Sequence, residues 1–363
     1  MNVLFVTNIP SPYRIDFFSE LAKYCNLTIF FEGRRSKKRA STFNWNDDSI
    51  SSFKHYFFSE LFNEKAILFS LIKKVIFGRY DKIIICTYNT RTQSILIILL
   101  KILKIEYYFE TDGGYVSLKE SKLKSSVKKM LFSGAKGYFS TGVESDKYLI
   151  HYGAEEAKLI RYTFTSLFKC DIIPKVLTKE QKSKNKRELG IPYKKIVIAV
   201  GRFVPIKGFD VLLKSCKYFS EDVGVYFIGG QPMEEYIEIQ NQLNLKNINY
   251  VGFQTKLDLD KWFLAADLLV LPSRGDVWGL VINEAMAKGL PVVTTNKCIA
   301  GLELIPNKEC IFPVDNYKIL GEIINKIINN EDYSNRLSNL NLARVKNITF
   351  ENMAIDHLKE FSK

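Results

Sequence analysis

The sequence predicts an α/β protein built from two domains, each with a doubly wound parallel sheet. Three observations predict this class. The chain has 363 residues, more than one hydrophobic core usually accommodates, and 47% of them are hydrophobic, as in ordinary globular proteins. Apolar strand-like runs alternate with helical patterns along the chain. The alternation breaks once in a polar stretch and then restarts, so we expect two domains of about 150–200 residues each.

The predicted first domain covers residues 1–171. Its strand-like runs are NVLFVT, LTIFFE, KIIICTY, EYYFETD and GYFSTG, with the helical patterns RIDFFSELAKY and SILIILLKILK between them. A run such as KIIIC is apolar without interruption, which is typical of a parallel strand buried on both faces. We therefore expect helices on both sides of this sheet.

The predicted second domain covers residues 192–349, after a linker at 172–191. The linker is polar and rich in lysine, which favours an exposed connection rather than a core element. The strand pattern then restarts with KIVIAVGRF, GVYFIGG, NINYVGF, LLVLPS and VVTT, and the helical patterns VLLKSCKYF and LDKWFLAA lie between these runs. The last residues, 350–363, have a helical pattern.

The most informative stretch is LLVLPSRGDVWGLVINEAMAKGLPVVTT, at residues 268–295. A strand predicted over Leu268–Leu271 ends in Pro-Ser, a turn with glycine follows, and a helix is predicted over Leu280–Lys288. Free backbone amides at such a helix start favour a bound anion, typically phosphate. Asp276 and Glu284 place two carboxylates around the mouth of this helix. The stretch therefore predicts a nucleotide-sugar site.

A second motif, GRFVPIKGFDVLL, supplies two cations behind another predicted strand. Arg202 follows the strand end and Lys207 precedes a helix. An arginine fork and a lysine point charge can together neutralise a diphosphate as it leaves. Two basic residues at such a junction are, by themselves, commonly ordinary surface charges. The acid pair about seventy residues downstream favours the phosphate-binding interpretation.

Both motifs resemble those of retaining glycosyltransferases of family 4. The first resembles that family's Glu-x7-Glu signature, with Asp276 in place of the first glutamate and Trp278 in place of its aromatic residue. The second resembles the family's Gly-Arg-x-x-x-x-Lys-Gly segment. The resemblance implies the GT-B fold, in which two Rossmann-like domains face each other across an interdomain cleft. It also implies that the last helix, 350–363, packs back on the first domain.

The resemblance implies a role for each donor-side residue. Arg202 and Lys207 would contact the pyrophosphate, Glu284 would hold the ribose hydroxyls, and Asp276 would face the donor hexose. The other expected donor-binding residues are Gly201, Gly229, Gly230, Gly252, Phe253, Ser273, Trp278, Gly279 and Leu280. Because no Asp-x-Asp motif follows a strand in the expected place, we expect a reaction without a metal and without another cofactor.

The first domain departs from the family pattern. Many members carry a histidine after the strand that corresponds to KIIICTY, where this chain has Tyr88 and Asn89; His55, His151 and His357 lie elsewhere and are expected to be surface or packing residues. Asp112, beside Gly113 and Gly114, is the candidate catalytic replacement, since open parallel sheets bind ligands at their carboxyl edge. A simple chain reversal by Asp-Gly-Gly has equal weight. The expected acceptor-binding residues are Pro12, Tyr13, Arg14, Asn89, Gly113 and Gly114.

The first half of the chain carries most of the excess positive charge. Residues 1–170 contain 26 Lys and Arg against 16 Asp and Glu, whereas residues 171–363 contain 26 against 23. No nucleic-acid-binding motif accompanies this charge, so anionic lipid is the favoured partner. Residues 118–132 have the pattern of a basic amphipathic helix suited to a membrane surface, and a solvated helix face is the alternative.

The chain has six scattered cysteines, opens on an apolar strand rather than a signal peptide, and has no apolar stretch of membrane-spanning length. We therefore expect a cytoplasmic protein, peripheral on the inner face of the cell membrane. The functional hypothesis is hexose or N-acetylhexosamine transfer from a nucleotide diphosphate sugar, with UDP favoured, to a lipid-linked glycan of a bacterial capsule, O-antigen or wall polymer. The alternatives are an epimerase- or phosphatase-like enzyme on the same architecture and a non-catalytic sugar-nucleotide-binding partner.

Overall fold

The computed structural model describes residues 1–34, 51–57, 72–88, 90–116 and 120–363. They form two compact units, Met1–Thr165 with Phe350–Lys363, and Ser166–Thr349. The domain boundary expected at residue 171 thus lies inside the second unit. The reason is local, because the amide of Ile173 donates to the carbonyl of Ala287 (3.0 Å) and ties this segment to the second unit.

The first unit contains a seven-stranded sheet in which every pairing is parallel, in the order β3-β2-β1-β4-β5-β6-β7. The strands are β1 (Asn2–Thr7), β2 (Asn26–Phe31), β3 (Lys54–Phe57), β4 (Lys82–Ile85), β5 (Tyr108–Glu110), β6 (Gly137–Ser140) and β7 (Leu159–Arg161). Its helices include α1 (Pro12–Leu21), α2 (Arg91–Ile102), α3 (Lys122–Phe132), α4 (Val143–His151) and the last helix of the chain, α13 (Phe350–Phe361). The predicted parallel sheet is confirmed, and two short strands, β3 and β7, were not predicted.

The second unit contains a six-stranded parallel sheet in the order β10-β9-β8-β11-β12-β13. The strands are β8 (Lys195–Val200), β9 (Val223–Ile228), β10 (Ile248–Val251), β11 (Leu268–Leu271), β12 (Val292–Thr295) and β13 (Ile311–Phe312). The helices are α5 (Lys179–Glu188), α6 (Phe209–Ser215), α7 (Glu234–Gln242), α8 (Lys256–Ala265), α9 (Leu280–Ala287), α10 (Ile299–Leu304), α11 (Tyr317–Asn329) and α12 (Glu331–Val345). Among the described helices of both units, none has the length and hydropathy needed to cross a bilayer.

The stretch expected to be an exposed linker contains helix α5. Its start is fixed by a capping box, since the amide of Gln181 donates to the Thr178 hydroxyl (3.3 Å) and the Gln181 side chain accepts from the Thr178 amide (2.9 Å). Lys186 is buried and donates to Asp267 and to the carbonyl of Lys194, both at 2.7 Å. The polar composition of this segment predicts a loop, whereas the structure has a helix whose buried cation, Lys186, forms an ion pair.

Strand order places both donor motifs at one edge of the second sheet. β8 and β11 are neighbours, and the strand sequence reverses direction between them. In open parallel sheets such a switch point opens a crevice beyond the carboxyl ends of the strands. The loops that follow β8 and β11 therefore meet there.

Candidate functional site

The loop after β8 is held against the loop after β11 by a close backbone approach at Gly208. Gly208 has φ +66°, and a Cβ atom there would lie 2.1 Å from the carbonyl oxygen of Pro272. A side chain is therefore excluded both by the left-handed conformation and by the lack of space. The Gly-Arg…Lys-Gly segment of the sequence thus has a structural reason for its second glycine.

Arg274 ties the same two loops together with its side chain. Its guanidinium donates to the Pro205 carbonyl (2.6 Å), to Asp210 (2.7 Å) and to Asp315 (2.7 Å). Burial alone would raise the pKa of Asp210, but its pKa is lowered because Arg274 outweighs that effect. Sequence analysis missed Arg274, although its place in Pro-Ser-Arg-Gly beside the acid pair was the available signal.

Lys207 and Asp276 form an ion pair at the meeting point of these loops. The Nζ atom of Lys207 lies 2.6 Å from Oδ2 of Asp276, and the two side chains are 21% and 15% exposed. The backbone of Asp276 is fixed as well, since its amide donates to the carbonyl of Lys297 (2.9 Å). The expected phosphate-binding cation therefore lies beside the expected sugar-facing acid.

Arg202 contrasts with Lys207. Its side chain is exposed, and no ion pair or hydrogen bond engages the guanidinium within the part of the chain that the structure describes. An exposed guanidinium retains all its donors for an anionic ligand.

Helix α9 begins beside this pair at Gly279, which has φ +101°. A Cβ atom at Gly279 would lie 2.7 Å from Sγ of Cys298. Among the described residues no side chain caps this helix start, so the first-turn amides, beginning at Leu280, have no side-chain acceptor. The predicted helix over Leu280–Lys288 is confirmed to within one residue.

Glu284 lies one turn into α9 and is half-buried. The hydroxyl of Ser166 donates to its Oε1 atom (2.9 Å), and the described residues provide no hydrogen bond to Oε2. Burial raises the pKa of Glu284, and the Ser166 hydrogen bond opposes that rise. Ser166, the first residue of the second unit, was not predicted as a site residue because nothing in the local sequence connects it with a position 118 residues away.

Two predicted donor-binding side chains are instead part of the core. Trp278 is 3% exposed, and its indole Nε1 donates to Oδ1 of Asn283 (2.9 Å). Ser273 is fully buried. Both side chains are directed into the unit, so donor contact at these two positions stays a prediction that concerns their backbone groups.

The remaining donor-side residues follow three neighbouring strands. Gly201 follows β8, Gly229 and Gly230 follow β9, and Gly252 and Phe253 follow β10. The amide of Gly201 donates to the carbonyl of Ile228 (2.9 Å), and Phe253 is 59% exposed. These positions share the carboxyl edge that holds Lys207 and Asp276.

In the first unit, the predicted acceptor residue Arg14 is buried in a charge network. Its guanidinium pairs with Glu110 and with Asp112. The Tyr13 hydroxyl donates to the other oxygen of Asp112 (2.6 Å), and Nε2 of His357, on α13, lies 3.0 Å from Glu110. The Arg14 side chain is only 3% exposed and is engaged by these two carboxylates, and its contact with an acceptor stays a prediction.

The pKa values of the two carboxyl groups in this network are shifted in opposite directions. Burial alone would raise the pKa of Glu110, but Arg14 and His357 outweigh it and hold the pKa at about 2. Burial raises the pKa of Asp112, although Arg14 pulls it down. Asp112 keeps 31% of its side chain exposed, whereas the side chains of Arg14 and Glu110 are 3% and 0% exposed.

Of the other predicted first-unit residues, the structure describes Pro12, Gly113 and Gly114. Pro12 is exposed, and Gly113 takes part in a turn in which the Thr111 hydroxyl donates to its carbonyl (2.6 Å). Gly114 packs against Tyr148, whose ring a Cβ atom would approach to 2.7 Å. Asn89 and residues 117–119, at the expected start of the basic helix, lie outside the described residues. So do residues 35–39 of the run 34–39, which is one of the dense clusters of Lys and Arg in the first half of the chain.

Comparison with known proteins gives a consistent result. Residues 181–341 match the family model described as glycosyl transferases group 1. The chain is 28% identical over 170 residues to Protein CapJ of Staphylococcus aureus, covering 46% of this chain and 43% of CapJ. It is 31% identical over 139 residues to D-inositol 3-phosphate glycosyltransferase of Corynebacterium diphtheriae, covering 35% of this chain and 32% of that protein. The chain thus aligns with less than half the length of these relatives.

A solved structure extends the likeness to the whole chain. The crystal structure of Anabaena HepE in complex with UDP and glucose superposes with a TM-score of 0.77 and covers 100% of both chains, at 15% sequence identity. At this identity the likeness concerns the fold.

Proposed function

We propose that this chain, which has the GT-B fold and matches the group 1 glycosyl transferases through residues 181–341, is a retaining glycosyltransferase. It transfers a hexose or N-acetylhexosamine from a nucleotide diphosphate sugar, preferably a UDP-sugar, to a lipid-linked glycan during assembly of a bacterial surface polysaccharide. HepE, which binds UDP and glucose, supports the donor class, and CapJ supports the capsule context.

The observation that carries the proposal is the grouping of charges at the mouth of α9. Lys207 and the exposed Arg202 follow one strand, and the uncapped amides of α9 follow its neighbour. A diphosphate seated between them gains two cations and a helix start. These groups stabilise a leaving nucleoside diphosphate most strongly when its negative charge develops.

Glu284 suits the ribose. One carboxylate oxygen is occupied by Ser166, and the other is available to accept from a vicinal diol. When a donor binds, the Lys207 ammonium group leaves the Asp276 carboxylate and pairs with a phosphate. Asp276 then contacts the sugar. The ion pair in the described structure is then the resting state of the donor site.

We also propose that the reaction requires no metal. Arg202, Lys207 and the α9 amides supply the positive charge that a divalent cation provides in other transferases. Retention follows from acceptor attack on the face from which the nucleotide leaves, assisted by the leaving phosphate. The leaving phosphate takes the proton of the acceptor hydroxyl. Asp112 is the candidate catalytic residue of the first unit, because burial raises its pKa while part of its carboxylate remains exposed.

The acceptor side of the proposal involves a membrane surface. On α3, Leu123 is 76% exposed, and Val127 and Met130 are 43% and 48% exposed. Lysines at positions 122, 124, 128 and 129 accompany them on this helix. Apolar side chains among lysines suit the head-group region of an anionic leaflet, where a lipid-linked glycan would be found.

The test uses purified Lys207→Ala and Glu284→Ala proteins with UDP-sugars in the presence of EDTA, measuring donor hydrolysis and transfer. We expect both variants to lose at least about tenfold in donor turnover, since each loses a charge-assisted contact. Lys246→Ala and Glu238→Ala are matched controls, because both residues are exposed on the same unit. Wild-type turnover in both site variants would remove the proposed donor site, and inactivity of the wild type in EDTA with recovery on adding a divalent cation would refute metal independence.

A further inference from the structure

A cavity in the second unit lies away from the donor motifs. It has a volume of about 1040 Å³ and is bounded by α5, the loop 191–195, the start of β11 and helices α11 and α12. Lys195 begins β8 and Asp267 precedes β11, so the cavity lies at the amino edge of the sheet. The donor motifs lie at the carboxyl edge, about 20 Å away along a six-residue strand.

The cavity is lined by an excess of cations. Seven of its lining residues are Lys or Arg and three are Asp or Glu. The carboxylates of Asp267 and Glu331 are already engaged by Lys186 and Lys179. Lys175, Lys182, Arg187 and Lys194 have no ion pair with any residue that the structure describes. The lining of the cavity therefore carries an excess of positive charge.

The surroundings of Lys182 disfavour its charged form. It lies on the inner side of α5 and is half-buried. Burial lowers its pKa, and the attraction of Asp267 does not restore it. A bound anion would compensate this charge, as anionic partners do for partly buried lysines elsewhere.

The rest of the lining is suited to a small polar ligand with an apolar part. Helix α12 contributes Ser334, Asn335 and Asn339, whose hydroxyl and amide groups both donate and accept. Ile191, Tyr193 and Ile328 add apolar side chains to the lining. The volume is at the upper end of the ordinary range of small-molecule sites, about 300–1000 Å³.

We propose that this cavity is a second anion-binding site of the protein, and that its ligand carries a phosphate group held by Lys182 and Arg187. The site is separate from the proposed donor site and does not depend on the proposed function. The phosphate comes either from a free phosphorylated metabolite or from the head group of an anionic phospholipid.

The experiment measures anion binding after the donor site has been disabled. The full chain with Arg202→Ala and Lys207→Ala is titrated with inorganic pyrophosphate by calorimetry and, separately, with vesicles of phosphatidylglycerol or phosphatidylcholine by flotation. We expect saturable binding of pyrophosphate, of phosphatidylglycerol vesicles, or of both. Adding Lys182→Gln and Arg187→Gln should weaken that binding about tenfold or more, because two charge-assisted contacts are lost.

Lys184→Gln on the same helix is the matched control. Lys184 does not line the cavity and is 71% exposed, and its one ion-pair partner among the described residues is Glu188, at 3.8 Å. It should change binding by less than about twofold. Dependence on Lys182 and Arg187 with pyrophosphate identifies a free phosphate ligand, and the same dependence with vesicles alone identifies a lipid head group. Absence of saturable binding in both arms, or equal weakening by Lys184→Gln, overturns the proposal.

Discussion

Replacement of Asp276 by asparagine is expected to strengthen nucleotide binding while slowing transfer. In the resting structure Asp276 holds Lys207 at 2.6 Å. A bound diphosphate must replace this carboxylate as the partner of Lys207, and it then lies close to the negative charge of Asp276. The asparagine would keep the size of the side chain but remove both obstacles. The same substitution removes the charged acceptor for the hydroxyls of the donor sugar, so the transition state loses stabilisation.

The magnitude follows from distance and exposure. A phosphate oxygen in contact with Lys207 would lie within about 5 Å of Asp276, where a like charge costs about 1–3 kcal/mol at effective dielectric constants of about 20–60. The two side chains keep 21% and 15% of their surface in contact with water, which still screens part of this repulsion, and we expect about 1–2 kcal/mol. This corresponds to roughly 5- to 30-fold tighter binding of UDP.

The assay is calorimetric titration of the wild type, Asp276→Asn and Asp222→Asn with UDP and with pyrophosphate, followed by transfer rates at saturating donor. Asp222 is an exposed aspartate of the same unit, so its replacement controls for the change in net charge. Equal or weaker binding by Asp276→Asn, relative to Asp222→Asn, would refute the competition between carboxylate and phosphate. Tighter binding with an unchanged transfer rate would remove Asp276 from the sugar contact.

Three further outcomes are expected. Gly208→Ala, whose Cβ would lie 2.1 Å from a backbone oxygen at φ +66°, should lower the unfolding free energy by about 2 kcal/mol or more and weaken UDP binding, as measured by denaturant melts and titration. Glu110→Gln should cost about 3 kcal/mol, because a buried arginine loses a charged partner. Since the pKa of Glu110 is lowered from 4.5 to about 2, its contribution is present above pH 4.5 and is lost as the pH falls through 2; an acid melt as steep in the variant as in the wild type would contradict this. Leu123→Ser should reduce flotation with phosphatidylglycerol vesicles, while Leu257→Ser, equally exposed on the second unit, should not.

The sequence predicted those parts of the molecule that depend on local patterns. β11 begins and ends at the predicted residues Leu268 and Leu271, and α9 differs from its predicted range by one residue. Both elements combine an apolar run with a glycine or proline boundary, a pattern that a single sequence shows clearly. β3 escaped prediction because it is a short edge strand that is only partly buried.

The missed parts of the candidate site depend on distance in sequence. Ser166 and Glu284 are 118 positions apart, and Glu110 and His357 are 247 apart. No periodicity or motif joins such pairs before the chain has folded. Trp278 shows the related limit that a motif gives the residue type but not the direction of its side chain, which core packing determines.

The placement of His357 has a consequence for biosynthesis. Its ring stacks on Phe139 and reaches Glu110, so the interior of the N-terminal unit is completed by a residue translated after the entire second unit. In a nascent chain, the interior around Arg14 and Glu110 therefore stays uncovered by the His357 ring and by α13 until this last helix has been synthesised. Chains arrested before α13 would expose this interior to proteases even though residues 166–349 are fully synthesised. Completion of the first unit therefore depends on synthesis of the last helix of the chain.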